Sequence, residues 1–420
     1  MKKLIPFLGF LLITVFYYAL SFDKISFGDC MVYSFYVERG DFVKTATSLD
    51  HFLYMNSLIL FSKLTFMDTI VSIRLFNSLS AAGAVLIFYF ALKEYFKNGL
   101  AVLGAIIMAL SFTFWRTTST IEVCSFNTIF LSLFLLYSIR FLKQKNAKDL
   151  NLASFILALS FWSHVQNIML IPALVFLMCL AYRTYGSKAF ISLIYFLIPA
   201  LALFIPAILY DYDFIQVYAS SNPHWIKGTF QKSILEYGKD VVVALAYLVY
   251  NLWYFLIPAA YSIFCRFKKI TNHNIFYFFA FGVPFGFATF YNVSDNYVYF
   301  IGPYQIIILF AIDGIARWSK EKQNITKLAY VGALAFPLIY QMCFQVALLT
   351  PQGLAFHEKK EYKGGLNYYL KPWMNDNVGL LDVYLNKKPT TDEIPWMYYY
   401  SDEFIKCRIK KQPLEEIKKL

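Results

Sequence analysis

The residues able to do chemistry in this chain are a few acids, imidazoles and arginines set beside long apolar runs. Asp29 follows Gly28 in the stretch Ser26–Lys63, which also holds Glu38, Arg39, Asp41, Asp50 and His51. Only 15% of the residues are charged, so this polar interruption stands out. Asp29 reads either as a general base beside a bilayer or as a solvated loop carboxylate or helix N-cap. Glu38, Asp41 and Asp50 read as charges on a solvated face. His51 opens the apolar run "HFLY"; it can pair with a phosphate or with Asp29, or it can cap a short interfacial helix.

A second group lies farther on. Glu122 falls just inside an apolar segment, in "FTFWRTTSTIEVCSFN", where an acid should face a wet or protein-lined cavity rather than lipid. Arg116, six residues earlier, is its partner or an independent anion holder. His164 in "FWSHVQN" lies between two short apolar segments, where a broken helix can expose backbone to a cavity. Asp211, Asp213, His224 and Lys227 share one polar loop and Asp295 lies in another, "FYNVSDNYVYF". Asp313 lies near the end of a span and can snorkel. No phosphate-binding glycine loop, zinc-protease helix motif or nucleophile elbow is present. The six cysteines are scattered without metal-ligand spacing; Cys30 and Cys407 could face each other across the external side, but a disulfide there is the less favoured reading.

Those residues need elements to carry them, and composition says which. The chain has 420 residues, 59% hydrophobic and 20% aromatic, with mean hydropathy +0.52. A soluble domain is nearer ~45–50% apolar and ~25% charged, so this is an all-α polytopic membrane protein. Apolar segments predict about 11 spans: 4–20, 69–92, 99–115, 120–141, 151–164, 165–182, 189–210, 237–264, 275–291, 298–315 and 328–349. The net charge of +12 does not read as a nucleic-acid surface. Its Lys and Arg recur in clusters between alternate spans, at Lys2/Lys3, Lys93/Lys97, Arg140–Lys148, Arg183/Lys188, Arg266–Lys269 and Arg317–Lys322. That is the positive-inside pattern. It places the N-terminus inside and 21–68, 116–119, 211–236, 292–297 and the tail 350–420 outside. The polar chemistry is then one-sided, unlike a transporter with ionisable residues at mid-span and repeated halves. The chain divides into a membrane unit, 1–349, with a long first external loop (21–68), and an external tail that reads as a lid or packing element.

An ordered series of segments resembles a known family. "GD" at Gly28-Asp29, "HFLYMNSLILFSKL", "RLFNSLSAAGAVLIFYFALK", "FTFWRTTSTIEVCSFNTIFLSLFLL", "ALSFWSHVQNIMLIPAL" and "FYNVSDNYVYFIGPYQIIILFAIDGI" are similar to the bacterial protein O-mannosyltransferase-like proteins of the GT-C glycosyltransferase superfamily. There are departures: the family's His-Pro-Pro-Gly is here His51-Phe52-Leu53-Tyr54, and Val32 replaces an acid. The resemblance implies a GT-C-like bundle with a catalytic first external loop, in the inner membrane of a bacterium. It implies transfer of a sugar from a polyprenyl-phosphate donor to a hydroxyl of a protein or glycan acceptor, with inversion. Asp29 is cast as base and Glu122 as the residue that positions the acceptor or orients a cation. His51, Arg74 and Arg116 are phosphate-side candidates, and His164 and Asp295 align with family positions. No metal is required by the motifs, and a divalent cation is left open. A flippase for lipid-linked glycans, relying on His164 and Asp313, and a non-catalytic assembly subunit are the alternatives.

Overall fold

The computed structural model describes residues 4–44, 51–210, 223–293, 295–321, 324–390, 395–417 and 420. Asp50, Asp211, Asp213 and the side chain of His224 lie outside the described residues. Every regular element among the described residues is helical. In order they are α1 (Leu4–Leu20), α2 (Asp29–Arg39), α3 (Phe52–Thr65), α4 (Thr69–Lys93), α5 (Asn98–Leu110), α6 (Phe112–Ser119), α7 (Cys124–Gln144), α8 (Ala147–Ser160), α9 (Ile171–Tyr185) and α10 (Phe190–Ala202). Then come α11 (Ile205–Leu209), α12 (Pro223–Phe230), α13 (Ile234–Leu252), α14 (Leu256–Phe267), α15 (Asn272–Phe290), α16 (Ile301–Glu321), α17 (Asn324–Leu334) and α18 (Phe336–Leu348). The tail carries α19 (Pro351–Lys359), α20 (Leu366–Leu370), α21 (Leu380–Leu385) and α22 (Pro395–Arg408).

Helices occupy all eleven expected segments. Five described stretches are long and apolar enough to cross a membrane, and seven if each of two bent pairs counts once. The expected 99–115 segment breaks at Ser111 by 58° between α5 and α6. The break frees the Thr113 N–H, which donates to Asn251 Oδ1 at 2.7 Å. The last pair, α17 and α18, bends by 49° where Pro337 removes a backbone donor. Val165–Ala202 forms one long helical stretch, but Gly186 interrupts it at φ +60°, ψ −140°, a conformation essentially reserved for glycine. The chain doubles back there. The Trp162 indole donates to the Pro199 carbonyl at 2.9 Å and Phe161 meets Phe196, so the ends of α8 and α10 lie side by side.

Packing follows from small residues, since lipid tails are as apolar as leucine and give helices no hydrophobic reason to associate. On α4, Ser78, Ser80, Ala81, Ala82 and Ala84 are buried and let α7 approach closely. Gly314 on α16 does the same for α14: a β-carbon there would collide with the Pro258 carbonyl.

The basic clusters gather at one end of the bundle. Glu94 Oε1 accepts from Arg140 at 2.9 Å with Lys143 beside it. Asp313 does not snorkel: its Oδ2 accepts from Ser262 (2.6 Å), Arg266 (3.0 Å) and Arg317 (2.8 Å), because two neighbouring guanidiniums supply the solvation water would have given.

The first loop and the tail meet at the opposite end. The loop is not an open polar connection but two helices, and most of α2 is buried. Its strand-like lead-in is paired by the tail: Met374 N–H donates to Leu20 O (3.0 Å), Leu380 N–H to Ile25 O (2.8 Å) and Ile25 N–H to Leu420 O (2.5 Å). The Asn377 side chain accepts from the backbone of both Asp23 and Lys24 at 3.0 Å. Glu38, expected on a solvated face, is buried under α22. There it accepts from Thr69 Oγ1, Arg408 Nη1 and Lys411 Nζ, each at 2.6 Å. All six cysteines are free, and the Cys30 thiol donates to the Ile121 carbonyl at 3.4 Å. The Cys30–Cys407 disulfide therefore does not form, since the tail is held by ion pairs and backbone bonds instead.

Candidate active site

Three carboxylates arrive from three different connections. Asp29 is the first residue of α2, after Gly28 at φ +87°. Glu122 lies in the turn between α6 and α7, ahead of the span rather than just inside it. Asp295 precedes a 3₁₀ turn, Asn296–Phe300, that leads into α16. They are close enough to disfavour one another's charge. Burial, then the Asp295 carboxylate, pushes Asp29 up to about 6, against a hydrogen bond from Tyr33 that favours its charged form. Burial, then Asp29 and Asp295, pushes Glu122 well above the usual carboxylate range, and the Arg116 guanidinium opposes the rise. Burial also raises Asp295. Desolvation plus like charge is the arrangement that holds an acid or base poised near neutral pH.

Tyr33 joins this cluster to the imidazoles. Four residues after Asp29 on the same helix face, it donates from its hydroxyl to Asp29 Oδ2 at 3.5 Å, and its ring edge meets His51 at 6.1 Å. Its i+4 position was the only signal in the sequence, and no residue type flagged it. The His51 ring is tilted against His164, centroids 4.8 Å apart, and His164 in turn meets Tyr299 at 5.6 Å. His51 Nδ1 sits 3.0 Å from the Ser163 carbonyl; only a protonated nitrogen can bond there, so Nε2 keeps a bare lone pair. Burial lowers His51 to about 4 despite that bond. At neutral pH it offers a lone pair, not the positive charge a phosphate would call for. His164 has the opposite tautomer, because its Nδ1 accepts from the Gln166 N–H at 3.4 Å.

The two arginines separate. Arg116 is buried with its guanidinium 4.4 Å over the Tyr368 ring and against the Met374 sulfur. Its field reaches Glu122. Arg74 turns to the end of α1, where it donates to Ser21 Oγ (2.8 Å) and Tyr18 O (3.0 Å) and pairs with Asp23 at 3.4 Å. The structure thus brings Asp29, Glu122, Asp295, His51, His164 and Arg116 into one neighbourhood, and gives Arg74 a bracing position at its margin. Among the described residues no three His, Cys, Asp or Glu side chains converge closely enough to hold a metal ion. Beside Tyr299 a narrow slot runs between α7, the 3₁₀ turn Val165–Leu170, α15 and α16, lined by Leu131, Phe134, Leu170, Phe276 and Phe287.

Comparison with known proteins agrees with this architecture. Residues 50–210 match the family described as dolichyl-phosphate-mannose-protein mannosyltransferase. In solved structures the chain is similar to ArnT from Cupriavidus metallidurans bound to undecaprenyl phosphate. The TM-score is 0.58 at 12% identity, over 95% of this chain and 75% of that one. The chain is a multi-pass helical membrane protein that shares the ArnT fold. The chain is likewise similar to the apo state of the same ArnT, at TM-score 0.53 and 11% identity, over 97% and 76% of the two chains. None of the curated proteins matches the chain in sequence.

Proposed function

We propose that this protein transfers a sugar from a polyprenyl-phosphate donor to an acceptor hydroxyl at the end of the bundle where the first loop and the tail meet. The observation that carries the reading is Asp29. It is a carboxylate tuned to about 6 at the head of a buried loop helix, backed by Asp295 and Glu122 and by Arg116, whose field reaches Glu122. The matched family is described by a lipid-phosphate sugar and the ArnT structure was solved with a lipid phosphate. Both support a donor of that class.

In this scheme Asp29 takes the proton of the acceptor hydroxyl. The oxygen lone pair attacks the anomeric carbon as the bond from that carbon to the phosphate oxygen breaks, and the bonding pair leaves with the phosphate. A single displacement inverts the carbon. Arg116 stabilises the charge developing on the leaving phosphate in a poorly solvated site. Glu122, pushed toward its neutral form by burial and then by the Asp29 and Asp295 carboxylates, donates a hydrogen bond that orients the acceptor. His51 Nε2 accepts one. The slot beside Tyr299 suits the first isoprene units of the tail. A flippase reading draws on His164 and Asp313 as route-lining groups, but Asp313 is already neutralised by two arginines at the far end of the bundle.

The test is release of free polyprenyl phosphate by purified protein from a panel of polyprenyl-phosphate sugars. Wild type should turn over, and Asp29→Asn should lose about 10²–10⁴-fold, the usual contribution of a general base. Full activity in Asp29→Asn would end the assignment.

A further inference from the structure

A second cavity lies on the outer side of Arg116. It is a cleft of about 360 Å³ between α20 and the loop 371–378, formed wholly by the tail. Its walls bring together two ammonium groups, Lys363 and Lys371, two exposed amides, Asn367 and Asn375, and the aromatic rings of Tyr368 and Trp373. Its floor is Tyr368 and Met374, the two side chains that cover the Arg116 guanidinium. Arg116, whose field reaches Glu122, therefore lies directly behind that lining. That adjacency gives the cleft a role a surface dimple would not have.

The lining chemistry is specific. Lys371 Nζ rests 4.1 Å from the Phe344 ring centroid and 5.7 Å from that of Trp373. Among the described residues no carboxylate pairs with it. Burial lowers its affinity for a proton, so an incoming anion would restore what desolvation costs. Lys363 sits over Phe27 and Tyr362 on the opposite wall. The Asn367 and Asn375 amides are exposed and make no hydrogen bond among the described residues, so their donors and acceptors are open to a ligand. Asp376 also lines the cleft and supplies an acceptor for hydroxyl groups. Amides and a carboxylate for hydroxyls, rings for an apolar sugar face and ammonium groups for an anion form a composite that neither a polyprenyl tail nor an uncharged peptide would use fully.

We propose that this cleft binds the acceptor, and that the acceptor is a saccharide carrying a carboxylate or phosphate group. The proposal rests on the glycosyltransferase reading for the word acceptor, but the binding it asserts needs no donor and no turnover. Held there, the sugar has its reactive hydroxyl directed past Tyr368 and Met374 toward Asp29, while Lys371 and Lys363 hold its anionic group away from the departing phosphate.

The experiment measures binding of a fluorescent trisaccharide ending in glucuronate, and of its carboxyl-reduced neutral form, to full-length protein in nanodiscs of phosphatidylcholine or phosphatidylglycerol. Wild type should prefer the charged sugar by about tenfold, one charge-assisted contact's worth, equally in both nanodiscs. Lys371→Met should erase the preference and Lys371→Arg should keep it. Asn375→Asp, at an exposed position that cannot disturb the core, should weaken the charged sugar alone. Equal binding of both sugars by wild type would overturn the proposal, as would a preference that survives in Lys363→Met/Lys371→Met. A preference seen only in phosphatidylglycerol would assign the lysines to the lipid surface and overturn it too. Failure of Asp29→Asn to lose turnover would sink the catalytic reading and leave these binding results standing.

Discussion

At the scale of single residues, the candidate site makes charge expensive where the proposed reaction would use it. Asp29 at about 6 must be ionised to take a proton, so turnover should rise with pH through about 6 and level off above 7. A pH profile of polyprenyl-phosphate release checks this. His51, near 4, cannot be the source of that limb, and His51→Gln should lower the plateau without moving the midpoint. The same tuning has a thermodynamic side. A carboxylate whose folded value is raised above its unfolded one stabilises the fold fully below about 4 and loses that contribution as pH climbs through about 6. At pH 7.5 the ionised Asp29 is therefore a burden, and Asp29→Asn should melt at a higher temperature than wild type. The gap should close as the buffer is taken toward pH 4. An inactive variant that is more stable is what a strained catalytic carboxylate predicts, and a lower melting point at pH 7.5 would contradict it. Asp29, His51 and Glu122 were legible in the sequence because acids and imidazoles are rare there. Tyr33 was not: it is one of 33 tyrosines and is picked out only by what its hydroxyl reaches.

At the scale of elements, α2 and α22 form a clasp. Glu38 is fully enclosed and Arg408 nearly so, with Lys411, Thr69 and Asp68 completing the network. Burial alone would raise Glu38, but the bonds from Lys411, Thr69 and Arg408 outweigh it and hold the carboxyl below its usual value. Its stabilising contribution is then present above about 4.5 and is lost as pH falls further. Removing one partner of a buried pair costs about 3–5 kcal/mol. Arg408→Met should loosen α2, seen as faster amide exchange across residues 29–39 and reduced turnover, while Glu38→Gln/Arg408→Met recovers part of the loss. The spans were legible because apolar runs are long and basic clusters punctuate them. The clasp was not, since Glu38 and Arg408 are 370 positions apart and nothing local to either announces a partner. The same holds for Gly186: substitution by Ala should cost at least about 1–2 kcal/mol and splay α9 from α10, visible as altered cross-linking between positions 162 and 199.

At the scale of the whole molecule, charge is sorted by end. Ion pairs around Glu94 and Asp313 close one end of the bundle, and the carboxylates, the imidazoles and the tail occupy the other. The one-sidedness could be read from Lys and Arg placement alone. That the tail covers the candidate site could not, because a Lys-rich stretch of 71 residues looks like an appendage until Met374 is seen against Arg116 and Asn377 against Asp23. Deleting 350–420 should leave a chain that still inserts in the membrane but binds no saccharide and releases no polyprenyl phosphate, assayed on membranes carrying equal protein. The pairing of Leu20 and Ile25 with Met374 and Leu380 also orders events in time. Asp29 leaves the ribosome well before Met374 and Leu380, the tail residues that pair with its lead-in. The proposed base therefore waits in the growing chain without those walls until the tail has been made and has docked.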